Sequence, residues 1–199
     1  MNEEQRNEVK ANNSIPKAAN AFFDIFESFL KAIIIVFIVL TFFFKICTVS
    51  GSSMNNTLFD SEKLIVSEFA YSPKEGDVIV FHQIGDILKE PVVKRVIATG
   101  GKYVKIDYDA QKLYVSDDEN FDENDLVDES EYIYLDKGYY KQEGVYATYV
   151  PDGYLFVMGD NRNNSTDSRY REVGLVDERR VFGKVIFRFS PLNKAGTVK

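Results

Sequence analysis

A single histidine and a single cysteine, His82 and Cys47, restrict the chemistry open to this 199-residue chain. A metal site built from imidazole and thiolate lacks ligands, and an intramolecular disulfide is impossible. A Ser-His-Asp or Cys-His hydrolase would have to use one of these two residues. His82 follows the apolar run from Val78 to Phe81 with no nucleophile motif beside it, which suits a strand-end surface histidine. Cys47 lies in a long apolar stretch, where a small buried hydrophobe is the ordinary role of a free thiol.

Three other stretches carry groups that could act. Residues 50–58 read Ser-Gly-Ser-Ser-Met-Asn-Asn-Thr-Leu. Gly51 and the clustered hydroxyls suit a tight turn that exposes a serine, although a Ser/Gly linker looks the same. In residues 91–99, strand alternation puts Val92, Lys94, Val96 and Ala98 on one face. An amine there is costly: holding an ordinary lysine neutral at pH 7 takes about 4.6 kcal/mol unless desolvation lowers its pKa. The alternative is an edge-strand lysine that reaches solvent. Residues 159–169 place Asp160, Arg162, Ser165, Thr166, Asp167, Ser168 and Arg169 directly after an apolar run, as a long polar loop or as a shell of charge-assisted hydrogen bonds. Together the three supply a nucleophile, a base and a support. With one histidine in the chain, Ser-Lys catalysis is the chemistry left.

These groups need a scaffold. Beyond residue 60 the chain shows short runs rich in Val, Ile, Tyr and Phe at 63–69, 77–81, 92–99, 102–107, 132–135, 154–158 and 182–189. Turn residues separate them at Pro73 to Gly76, Gly100-Gly101 and Pro151 to Gly153. The pattern predicts a mainly β domain of sandwich-like or barrel-like antiparallel sheets over 50–199. There is no internal repeat and no phosphate-binding glycine loop, which points away from nucleotide chemistry. The composition, 45% hydrophobic and 28% charged, is that of a folded protein.

Ahead of this domain, 17 of the 21 residues from 29 to 49 are apolar, enough for a helix of roughly 31 Å that matches a bilayer core. The reading is one uncleaved transmembrane anchor over 29–49 behind a cytoplasmic tail over 1–28. A cleaved signal peptide is the competitor, since Ser50-Gly51-Ser52 offers small residues. Residues 1–31 mix four bases, Arg6, Lys10, Lys17 and Lys31, with five acids, however, which is not a positive n-region. The four bases favour an inside N-terminus.

The net charge is −7, and residues 117–136 account for it with ten acids and no Lys or Arg; the remainder of the chain is at +3. With no basic stripe, nucleic acid is not an expected partner. The acidic stretch reads as a solvated insertion and not a cation site, because its spacing matches no calcium loop, and it is expected to be dispensable for bond cleavage.

At this point the chain resembles the bacterial type I signal peptidases, in the short single-span form typical of Gram-positive bacteria (peptidase family S26). Four blocks match in order: 50–58 after the anchor, Gly76-Asp77-Val78-Ile79-Val80-Phe81, Lys94-Arg95-Val96-Ile97-Ala98 with Gly101, and Gly159-Asp160-Asn161-Arg162 through Asn164-Ser165 to Asp167-Ser168-Arg169. The resemblance implies a serine endopeptidase on the outer face of the cytoplasmic membrane that removes signal peptides through an acyl-enzyme. Ser53 matches the nucleophile, Lys94 the general base and Ser165 the hydroxyl that orients the lysine. Asp160, Asp167 and Arg169 match polar supports, Arg95 is a partner for Asp160, and Met54 packs beneath the nucleophile near substrate and membrane. The implied partners are preproteins with Ala-x-Ala signal peptides, membrane lipid and, as a further candidate, the secretion translocase; no metal or cofactor is implied. Two departures stand out. The family usually has Pro where Asn56 stands, which predicts a less rigid turn, and Gly51 replaces a serine that serves some relatives as second oxyanion donor. The competing readings are a catalytically silent relative that binds exported chains, and an endoplasmic-reticulum homologue, which would use histidine in place of the lysine.

Overall fold

Lys17–Phe43 form helix α1, 27 residues and about 40 Å long, in the computed structural model, which describes residues 17–82, 91–133 and 142–198. Pro16 immediately precedes it in the sequence, as at many helix starts. Residues 19–43 are long and apolar enough to cross a membrane. Phe22, Phe29, Phe37 and Phe42 all lie exposed, and beyond Lys31 the helix is apolar apart from Thr41, so that half has no polar face that water would favour. The expected anchor at 29–49 is therefore corrected at its C-terminal end, since the helix stops at Phe43; the helix itself begins at Lys17, within the stretch assigned to the tail. Phe44–Thr48 instead form strand β1, paired antiparallel with β2 (Lys63–Ser67) from Phe44↔Ser67 to Thr48↔Lys63. Apolar content alone does not separate helix from strand, and here backbone pairing with β2 takes the last five residues.

The described residues fall into two separate compact units, one up to Phe42 and one from Phe43 onward. The second is mainly β, as expected. β3 (Val78–Phe81), β4 (Val92–Ala98), β8 (Tyr154–Met158), β9 (Val176–Asp177), β10 (Val181–Ser190) and β11 (Gly196–Thr197) join β1 and β2 in one sheet. Its order is β1-β2-β10-β3-β4-β8-β9, with β11 also on β10. A second sheet has β5 (Tyr103–Asp107) between β6 (Lys112–Ser116) and β7 (Val145–Tyr149). Every strand pairing given is antiparallel.

Burial explains the composition of each strand. β2 and β5 alternate, hiding Leu64 and Val66, or Val104 and Ile106. β4 is buried along nearly its whole length: β3 and β8 pair with its two edges, while Val93 on one face and Val96 on the other each join a core cluster. Strands covered on both faces are apolar without alternation. Lys94 and Arg95 sit in this central strand. The edge-strand alternative for Lys94 therefore fails. The expected strand at 132–135 fails as well in its described half, since Tyr132 lies in a turn and Ile133 outside any strand; residues 134–135 lie outside the described residues.

Candidate active site

Ser53 sits in a closed loop between β1 and β2. At its base Val49 N–H donates to Glu62 O (2.8 Å) and Ser61 N–H to Val49 O (2.9 Å). Inside it Asn55 N–H donates to Ser52 O (3.0 Å) and Leu58 N–H to Met54 O (2.8 Å). Met54 is 1% exposed and packs with Val49, Leu58, Leu64 and Val66. It anchors the loop from below. Asn56 has φ of +94°, a conformation open to Asn but closed to proline, whose ring holds φ near −65°. The expected looseness is thus replaced by a different, hydrogen-bonded turn. Asn56→Pro is expected to lower the melting temperature by several degrees and to cut peptide cleavage at least about tenfold, whereas Asn56→Gly, free to adopt this φ, keeps both close to the parent. Thermal melts and peptide cleavage assays of the two variants check this.

Lys94 reaches this loop from β4. Its Nζ lies 2.7 Å from Ser53 Oγ and donates to Val93 O at 3.1 Å. The residue is 4% exposed. Burial, opposed by Asp167 and then Asp160 and assisted by Arg169, lowers the amine pKa to about 8. His82, by contrast, ends β3; the β3–β4 register pairs Ile79 with Lys94, so His82 is three residues, roughly 10 Å, further along the strand. Cys47 is half-buried against the core beside Val49 and Leu64, and burial raises its thiol pKa.

The loop after β8 closes the other side. Arg95 and Asp160 form a two-pronged ion pair, Nε to Oδ1 at 2.8 Å and Nη2 to Oδ2 at 2.7 Å, with both side chains buried. Thr57 Oγ1 donates to Asp160 Oδ2 at 2.5 Å, tying this pair to the Ser53 loop. Asp167 and Arg169 form a second such pair at 2.8 and 2.9 Å, and Asp167 Oδ2 also accepts from Gly159 N–H at 3.0 Å. Geometry of this kind satisfies buried charges that would otherwise be costly. Asn161 donates twice to the serine loop, N–H to Ser53 O and Nδ2 to Ser52 O, both at 3.0 Å. Asn164 Nδ2 donates to Ser52 Oγ at 2.6 Å.

One expected contact is missing. Ser165 is buried, yet its Oγ makes no hydrogen bond to Lys94 or to any other group among the described residues; it packs against the Gly159 backbone. Lys94 is instead held by Ser53 and Val93. Gly51 N–H is occupied by Asp60 Oδ1 at 2.8 Å.

Sequence reasoning overlooked Thr57, Asn161, Asn164, Glu129 and Tyr132. The first three lay within the matched blocks, where their amide and hydroxyl types were the available signal. Glu129 and Tyr132 gave none. The reading of 117–136 as a solvated insertion holds for Asp117 to Glu123, which are exposed or nearly so, apart from half-buried Phe121. It fails at Glu129, which is buried against Arg162; Asp136 lies outside the described residues. Tyr132 stacks over the Arg95 guanidinium, 4.0 Å from ring centroid to Cζ. Among the described residues, no group of His, Cys, Asp and Glu could hold a metal ion.

Known proteins resemble this chain over most of its length. A family model described as "Signal peptidase, peptidase S26" matches residues 22–190. Signal peptidase I of Bacillus amyloliquefaciens is 32% identical over 202 residues, covering 97% of both chains. Signal peptidase IB of Staphylococcus aureus is 34% identical over 179 residues, 84% of this chain and 88% of the relative. A crystal structure of a signal peptidase I from Enterococcus faecalis V583, 27% identical, aligns over 58% of this chain and 97% of its own with a TM-score of 0.41. From the family match over most of its length and from relatives above 30% identity, this chain belongs to the signal peptidase, peptidase S26 family.

Proposed function

We propose that this chain is a membrane-anchored serine endopeptidase that removes N-terminal signal peptides from exported preproteins. The observation that carries the reading is the 2.7 Å approach of Lys94 Nζ to Ser53 Oγ in a buried site. While charged, the ammonium donates to the hydroxyl oxygen. After losing a proton it becomes the acceptor, takes the Ser53 proton, and Oγ attacks the scissile carbonyl. The Ser53 backbone N–H offers a donor for the developing oxyanion. The protonated Lys94 then delivers its proton to the leaving amine, an acyl-enzyme remains on Ser53, and Lys94 activates the water that releases it. Arg95–Asp160 and Asp167–Arg169 act as supports, fixing the two loops without touching the scissile bond. The substrate lies extended along strand edges, with small pockets that accept Ala-x-Ala residues.

Helix α1 supports single-pass anchoring. The N-terminal bases favour an inside N-terminus, which would leave the β unit on the outer face, beside exported chains and the translocase. Protease added to spheroplasts is expected to degrade residues 50–199 and spare an N-terminal fragment; a protected β unit would reverse the orientation.

The deciding experiment incubates the detergent-solubilised protein with a preprotein and sequences the new N-terminus. Cleavage directly after an Ala-x-Ala site is expected. An intact preprotein, or cuts scattered through the mature chain, would sink the reading.

A further inference from the structure

The end of the acidic stretch carries a buried group that the reaction above does not use. Glu129 is 3% exposed, between exposed Asp128 and exposed Ser130. A carboxylate is not withdrawn from water without partners. Its Oε1 lies 2.5 Å from Arg162 Nη2 and accepts from Tyr132 Oη at 3.3 Å. Burial and then the Glu129 charge push the Tyr132 pKa up, keeping that phenol a neutral donor.

Arg162 is equally buried and works at the catalytic loop. Its Nε donates to Gly159 O at 3.1 Å, and its carbonyl accepts from Arg169 Nη2 at 2.7 Å. The next residue toward the site, Asn161, grips the Ser52 and Ser53 carbonyls. A continuous set of contacts therefore runs from Glu129 through Arg162 to the backbone of the nucleophile.

From this geometry we infer that Glu129 is a positioning residue for Ser53: its carboxylate fixes Arg162, and Arg162 sets the backbone of residues 159–161 that holds the nucleophile loop. The inference rests on Ser53 being the nucleophile. A purely structural ion pair is the rival, and the two differ in what happens when both charges are removed together. Replacing a buried ion pair with apolar groups is often neutral for stability, while breaking it by losing one partner is not.

Three forms of the full chain are compared on a soluble signal-peptide-like peptide: the parent, Glu129→Gln, and Glu129→Leu with Arg162→Met. Glu129→Gln is expected to lower kcat about tenfold or more with KM within about twofold, since misplacing a reacting group by a fraction of an ångström acts on the transition state. The double variant is expected to recover the melting temperature of the parent and still keep the kcat loss, because Gly159 O has lost its Arg162 donor. A folded double variant with parental kcat would make the pair merely structural and overturn the inference, as would Glu129→Gln with unchanged kcat. If Glu129→Gln does not fold, the double variant alone decides. A parent that cleaves nothing would overturn this inference together with the proposed function, whereas a cleaving parent with indifferent variants would remove this inference only.

Discussion

Ser53→Ala and Lys94→Met are each expected to reduce peptide cleavage by about 10⁴-fold or more, because nucleophile and base act as a unit in such sites. Lys94→Arg is not expected to rescue, since a guanidinium stays protonated. His82→Ala, at the end of β3, should stay within about twofold of the parent; a large loss there would revive a histidine mechanism. The parent rate carries the signature of the amine. With a pKa lowered to about 8, roughly a tenth of Lys94 is neutral at pH 7, about 300-fold more than for an unperturbed lysine. The rate should therefore rise with pH through a midpoint near 8 and level off above 9. A profile flat from pH 6 to 10 in the chemical step would contradict the assignment. Stability follows the same group with a definite sign. Lys94 binds its proton less tightly folded than unfolded, so between pH 8 and about 10.5 the unfolded chain holds more protons and stability rises with pH. Below pH 8 the buried charge costs about 3 kcal/mol. Lys94→Met should lose that slope in denaturant titrations across this range.

This cost shows why the lysine was visible in the sequence at all: a Lys-Arg pair set between Val92-Val93 and Val96-Ile97-Ala98 is anomalous wherever the strand lies. Strand β8 was legible to the residue for a related reason, since five apolar residues ended by Gly159 allow little else. β1 was not, because its residues continue the apolar helix and only pairing with β2 sets them apart. β6 and β7 have moderate content and were passed over. Glu129 was hidden among ten acids that look alike to any charge count; its burial depends on Arg162, 33 residues away. Tyr132 reads as a strand residue by propensity and lies in a turn, with its ring over Arg95. The positive φ of Asn56 belongs to the turn and not to the residue type. Local pattern thus located the reacting groups, while the contacts that hold them depend on distant partners.

Gly159→Ala should bring the second large loss, for a reason unconnected with protons. Gly159 is wedged between the two halves of the site: its N–H is held by Asp167 Oδ2 at 3.0 Å and its carbonyl by Arg162 Nε at 3.1 Å. A methyl group on it would overlap Ser165 Oγ and the Ser53 carbonyl oxygen, and would lie 2.6 Å from Ser165 Cβ. Relief needs a shift of about 1 Å, since carbon atoms settle near 3.5–4.0 Å. Asp167 and Arg162 hold the glycine, so the nucleophile loop must give way. A displacement of that size at the reacting atom costs on the order of 10²-fold in kcat, and overpacking adds about 1–3 kcal/mol of destabilisation. Gly196→Ala, where the new methyl meets open space, serves as the neutral control. Adding Ser165→Ala to Gly159→Ala removes the overlap with Ser165 Oγ and leaves those with Ser53 O and with the β-carbon of residue 165, so it should restore stability in part and cleavage hardly at all. Full recovery of cleavage in that double variant would place the obstruction at Ser165 Oγ alone. A Gly159→Ala enzyme with kcat within about twofold of the parent would show that the serine loop does not depend on this contact.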